Sequence, residues 1–203
     1  ASMPDVPIDT AFWHNLQTTA LQLGGRYSLQ GYFNTIQIPN DTSIKYLNLA
    51  NKNLFYLPQN IGRYKKLRFL SLRNNRLQGL SPDLAQCRQL RKLDLSSNHF
   101  YIVPFGVVYL SQVEELVLRD NDLKSLPSYF YNMSGLKVLD IINVHSQLAT
   151  GYNNFEEFPL LLTKMPQLEK LFLDKLPLKS LPQAMNKMKS LKVLSLNGTT
   201  QLD

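Results

Sequence analysis

The chain is predicted to form a solenoid of stacked strand-and-turn units, and three regularities predict it. Similar phrases begin at Ile44, Leu67, Leu90, Val113, Leu136, Leu168 and Leu191, 23 residues apart except for one interval of 32. Positions 1, 4 and 6 of each phrase are apolar, as in Leu90, Leu93 and Leu95. Asparagine recurs at position 9 (Asn75, Asn98, Asn121 and, after an insertion, Asn153), and an apolar residue followed by proline comes a few residues later. A unit this short cannot bury its apolar face alone, so copies at such a period must stack on one another.

The elements follow in order. Residues 1–43 do not match the repeat. Asp9-Thr10 ahead of Phe12, Trp13, Leu16, Ala20 and Leu23 reads as a capped amphipathic helix ended by Gly24-Gly25. Tyr27 to Ile38 reads as one or two short strands, with Pro39-Asn40-Asp41 turning into the first unit. This segment is expected to cap the open apolar end of the first unit, with Trp13 packed on Ile44 or Leu49. Residues 44–203 then form a repeat domain of about seven units.

Within each unit the alternation at positions 4 and 6 marks a strand with one buried face. Position 11 (Leu54, Leu77, Phe100, Leu123, Phe155, Leu178) is apolar again after a turn. The position-9 asparagines are expected to bond the buried backbone of that turn, because unpaired amides there would be costly. Lys52, Leu176 and Thr199 break this column, so the first and last two turns are expected to be less regular. Proline at 58, 104, 127, 159 and 182, with Pro82 one residue out of step, suits the first turn of a short helix. Ile61, Leu84, Val107, Phe130, Leu162 and Met185, then Tyr64, Cys87, Leu110, Met133, Met165 and Met188, supply its inward face. Cys87, the single cysteine, thus occupies a packing column and forms no internal disulfide. The last unit ends at Asp203 with no cap of its own, and more chain is expected to follow.

The phrase LxxLxLxxNxLxxLPxxI, over about residues 44–202, resembles the leucine-rich-repeat family. It is closest to the 23-residue class with a Leu-Pro step, found in bacterial surface or secreted proteins and in Ras-suppressor-like intracellular proteins. The resemblance implies an α/β fold: a right-handed, horseshoe-shaped solenoid with a parallel sheet on the concave face and short helices or turns on the convex face. It also implies protein binding as the role. The cysteine-free cap favours an intracellular protein or a bacterial one, since extracellular animal and plant relatives usually carry cysteine-rich caps. With the irregular units it turns the expectation to a bacterium, secreted or at the cell surface in preference to cytoplasmic.

If positions 4 and 6 point inward, positions 3, 5 and 7 face the hollow side. Two apolar clusters then emerge: Tyr46 with Phe69, and Val117, Val138, Ile142, Phe172 and Val193 across units four to seven. With Arg73 and Arg119 nearby, these are the expected partner-binding residues. Lys45, Arg68, Arg73, Arg76, Arg91 and Lys92 make the first three units basic, and Glu114, Glu115, Asp120 and Asp122 make the fourth acidic, a dipolar face suited to orienting a protein. The fifth unit carries a nine-residue insertion within 142–152, beside the second cluster and expected to share its binding role.

The net charge of +7 reads as a mixed-sign surface spread over every repeat, and nucleic acid is not the expected partner. His14, His99 and His145 have no metal-ligand spacing, Glu114-Glu115 and Glu156-Glu157 diverge as adjacent residues, and no glycine loop cradles a phosphate. No catalytic residue, metal or cofactor is expected. No run reaches the roughly 18–20 apolar residues of a membrane span, and no signal peptide is visible at the N-terminus. The expected function is a protein-binding scaffold. The alternatives are the targeting arm of a larger secreted bacterial protein or effector enzyme, and an anionic-glycan or nucleic-acid binder using Arg68, Arg73, Arg76, Arg91 and Lys92.

Overall fold

Seven three-residue strands stack in chain order into one parallel sheet: β1 (Tyr46–Asn48), β2 (Phe69–Ser71), β3 (Lys92–Asp94), β4 (Glu115–Val117), β5 (Val138–Asp140), β6 (Lys170–Phe172) and β7 (Val193–Ser195). The computed structural model describes residues 38–58, 60–145, 150–199 and 201–202. Each strand pairs with the next at constant register, so Leu47, Leu70, Leu93, Leu116, Leu139, Leu171 and Leu194 form one inward row. The alternation predicted from positions 4 and 6 is therefore correct, and the sheet is an open right-handed horseshoe lining.

The opposite side is built of 3-10 helices: Ile61–Arg63, Pro82–Gln86, Phe105–Tyr109, Ser128–Asn132, Leu160–Lys164 and Gln183–Lys187. In a 3-10 turn residues three apart lie above one another, which is why Leu84 with Cys87 and Phe130 with Met133 are both fully buried. Proline plays a slightly different part from the one expected. Pro104, Pro127, Pro159 and Pro182 sit at the N-cap with extended ψ, and Pro82 alone occupies the first turn. The ring fixes φ where the chain arrives extended, and its missing N–H leaves no donor to satisfy there. Cys87 is buried, its Sγ lying 3.3 Å from the Ile61 carbonyl oxygen, and burial pushes its thiol up to about 11.

The asparagine column is a ladder. Asn121 Oδ1 accepts from the Asn98 and Phe100 amides (3.1 Å each), while its Nδ2 donates to the Leu95 (3.2 Å) and Leu118 (3.1 Å) carbonyls. Asn75, Asn98 and Asn153 make corresponding bonds between neighbouring units. Beside it runs a second column that the sequence reading missed. Position 8 is left-handed in six of the seven units: Asn51, Asn74, Ser97, Asp120, Lys175 and Gly198, with φ between 50° and 71°. Asparagine and glycine tolerate that region readily, but serine and lysine do so at a cost, so composition alone hides the column. It explains why the turns at Lys175 and Gly198 stay regular although Leu176 and Thr199 break the asparagine column. The exception is Asn143, and there the chain departs into its insertion.

Residues 1–37, with the expected N-terminal helix, the strands before Ile38 and Trp13, lie outside the described residues. Ile38 packs against the core, and Arg63 Nη2 and Tyr64 Oη both donate to the Pro39 carbonyl at 2.6 Å. The expected turn at Asp41 is present, its carboxylate accepting from Ser43 N and Oγ.

Candidate partner-binding surface

Along the hollow face, position 3 presents Tyr46, Phe69, Lys92, Glu115, Val138, Lys170 and Val193 in one register row. Position 5 presents Asn48, Ser71, Asp94, Val117, Asp140, Phe172 and Ser195 in the next. The apolar residues of the second cluster are thus not neighbours along a row. They form a zigzag, from Val117 to Val138, then Phe172, then Val193, each step crossing one strand and moving two residues along it. Each step spans roughly 8 Å between Cα atoms, given ~4.8 Å between strands and ~3.3 Å per residue. Val138, Ile142 and Phe172 are half-buried and Val193 is 37% exposed, so a strip of accessible apolar surface does run across β5 to β7.

Val117 departs from expectation. Its side chain stands outside the core cluster, on the hollow side, yet it is only 7% exposed, flanked in register by Asp94 and Asp140. It offers almost no surface of its own. Arg119 also differs, because Asp140 holds it: Nε and Nη2 reach the same carboxylate oxygen at 2.8 and 2.6 Å. These bonds favour the charged guanidinium, raising its pKa despite partial burial. Arg119 is therefore committed to a clamp between units four and five. Arg73 is exposed, as expected, and Tyr46 is 71% exposed with its ring centroid 6.4 Å from that of Phe69.

The acidic pole expected in the fourth unit is offset at Glu114 and Glu115 by cations of the adjacent units. Glu114 lies between Arg91 (4.0 Å) and Lys137 (3.7 Å), and Glu115 meets Lys92 at 3.2 Å. Asp120 and Asp122 sit beside His145 (3.5 Å) and His99 (3.3 Å). These two aspartates also tie down the insertion, a role the sequence reading did not foresee. Asp120 Oδ1 accepts from Val144 N at 2.8 Å, and Asp122 Oδ1 accepts from Gly151 N at 2.6 Å. Below them, the buried Asn143 side chain grips the Asn153 backbone across the neck of the loop, its Nδ2 donating to the carbonyl and its Oδ1 accepting from the amide at 2.7 Å each. Lys175 Nζ reaches the Val144 carbonyl, and Tyr152 Oη donates to that of Lys175. The described ends of the insertion are thus pinned to units four and six, beside the apolar strip. The signal for this lay in two aspartates two residues apart, which sequence alone reads as surface charge.

Among the described residues no group of three His, Cys, Asp or Glu could hold a metal ion, and no helix is long and apolar enough to cross a membrane. An open depression on the helix side, lined by Lys65, Ala85, Gln86, Arg88 and Gln89, brings no carboxylate pair or nucleophile–base pair together.

Residues 65–101 match the family described as leucine-rich repeats, as two copies. The fold is that of the leucine-rich repeats. Solved leucine-rich-repeat structures agree. The leucine-rich repeat domain of the type III effector XopL is similar at TM-score 0.63 and 19% identity, over 100% of this chain and 74% of that one. An internalin C2 from Listeria monocytogenes gives TM-score 0.52 at 18% identity over 79% of this chain and 74% of its own. A chain of a TLR13–ssRNA13 complex gives 0.64 at 23% identity over 78% of this chain, which spans only 24% of that longer one. No curated protein matches this sequence.

Proposed function

We propose that this leucine-rich-repeat chain is a non-catalytic scaffold that binds a protein partner on its hollow face, over β5 to β7 and the adjoining insertion. The observation that carries this reading is the accessible zigzag of Val138, Phe172 and Val193, with Ile142 beside it. Neither the solenoid core nor the asparagine ladder needs apolar side chains there, and polar residues fill most of the other places at positions 3 and 5. Apolar anchors ringed by polar groups are how interfaces concentrate their binding energy. The pinned ends of the insertion adjoin the strip on the same side, and residues already held in place lose less entropy on binding.

The test uses the whole chain as bait, identification of what it captures, and binding measured with that partner purified. Val138→Asp/Phe172→Asp is expected to weaken binding by roughly 30-fold or more, as loss of two anchors of about 1–2 kcal/mol each implies. Both side chains lie outside the core cluster, so the variant should keep the wild-type unfolding midpoint. Undiminished binding by the folded variant would overturn the site.

The runner-up reading is the targeting arm of a larger secreted bacterial protein. Its support is the likeness to an effector's leucine-rich repeat domain over the whole chain. The full-length gene decides it, through the presence or absence of a further domain.

A further inference from the structure

Charge is not spread over the repeats, contrary to the sequence-based expectation. Eight of the 22 Lys and Arg residues, and none of the 15 Asp and Glu residues, fall between residues 42 and 82. That stretch, the first unit and most of the second, carries +8, and the remainder of the chain sums to −1. Ion pairing sharpens the contrast. Arg91 and Lys92 of the third unit are met by Glu114 and Glu115, whereas Lys45, Arg68, Arg73 and Arg76 are exposed and make no ion pair among the described residues.

Along the strands, Lys45, Arg68 and Arg73 bracket a pair of aromatic residues. Lys45 and Arg68 directly precede β1 and β2, and Arg73 follows β2, about 16 Å along the strand direction from Arg68 at ~3.3 Å per residue. Between them lie Tyr46 and Phe69, with uncharged Asn48 and Ser71 alongside. We infer that the first two units form an anion-recognising mouth for an acidic polypeptide segment of the partner, a segment carrying an apolar side chain that lies on Tyr46. This rests on the hollow face being the protein-binding surface, and it names the chemistry recognised at the end opposite the apolar strip.

A single nucleic-acid strand fits the same charge less well. It requires a series of open ring faces on which successive bases stack. Here the two rings are tilted at 54° to each other, and Lys92 Nζ lies 5.7 Å from the Phe69 centroid, over its face. One open ring remains. A carboxylate-bearing chain needs no base-stacking series; it needs dispersed cations and a place for one apolar contact, and the mouth supplies both.

The experiment measures fluorescence anisotropy of a labelled Asp/Glu-rich peptide with one central Phe, with single-stranded RNA of equal charge as competitor. The full chain is compared with Lys45→Ser/Arg68→Ser/Arg73→Ser and with Lys164→Ser/Lys187→Ser/Lys189→Ser, which removes the same charge from exposed sites in later units. The first variant is expected to bind the peptide about tenfold more weakly and the second within about twofold of wild type, with affinity falling as salt rises. Equal losses in both variants, undetectable peptide binding, or tighter binding of RNA than of peptide would each overturn the inference. Val138→Asp/Phe172→Asp is expected to retain peptide binding. A failure here therefore leaves the apolar docking strip standing, and a failure of the strip leaves the mouth standing.

Discussion

Asp120→Ala should loosen one end of the insertion and leave the solenoid folded. Asp120 is 3% exposed, its Oδ1 accepts from Val144 N at 2.8 Å, and its contact to His145 N is long at 3.4 Å. Its Oδ2 accepts no hydrogen bond. A hydrogen bond to an ionised acceptor contributes about 1.5–3 kcal/mol when both partners are sheltered. Val144 is 43% exposed, so water can take over its amide once the carboxylate is gone, which holds the loss near the lower limit. About 1.5 kcal/mol corresponds to roughly tenfold in opening equilibrium, and amide hydrogen exchange reads that quantity directly. Protection at Val144 should fall about tenfold. Gly151, held by a different carboxylate through Asp122 Oδ1 at 2.6 Å, should keep its protection. Unchanged exchange at Val144 would refute the anchoring role. An equal fall at Gly151 would refute the independence of the two tethers.

Two further outcomes concern the core. Asn121→Ala withdraws the acceptor for two buried amides, those of Asn98 and Phe100, and should cost about 3 kcal/mol, seen as a lower urea midpoint at unchanged slope; a loss below about 1 kcal/mol would show that water or relaxation fills the rung. For Cys87, burial raises the folded thiol to about 11, above its value of about 8.5 in an unfolded chain, so the folded state keeps a proton that the unfolded state gives up. Its contribution to stability is full below about pH 8.5 and declines as pH rises through 11; Cys87→Ala should lose that part of the alkaline slope, and identical slopes would contradict the assignment.

The inward architecture was legible because it is periodic. Leu47 through Leu194 recur at one register, and any side chain in that row must be apolar or leave a buried defect in every neighbour at once. The same logic exposed the asparagine ladder and settled Cys87, since a column's other members state what its environment accepts. The proline steps were seen, but whether each ring sits at the cap or inside the first turn depends on backbone angles that residue type does not specify. The left-handed column at position 8 escaped notice because Ser97, Asp120 and Lys175 are forced into it by the strands on either side, overriding their own preference.

Outward residues obey no such constraint, and there tertiary structure decided. Sequence alone determined which side chains leave the core: Val117, Val138, Phe172 and Arg119 all project to the hollow side. It did not determine what they meet there. Val117 is covered between its in-register neighbours, and Arg119 is claimed by Asp140, 21 residues away. Glu114 and Glu115 are neutralised from adjacent units, whereas Lys45, Arg68 and Arg73 meet no acid among the described residues, since no Asp or Glu falls between residues 42 and 82. The physical reason is that core position is a local property of spacing, written afresh in every unit. Surface chemistry arises between units, from side chains about 23 residues apart that only stacking brings within reach.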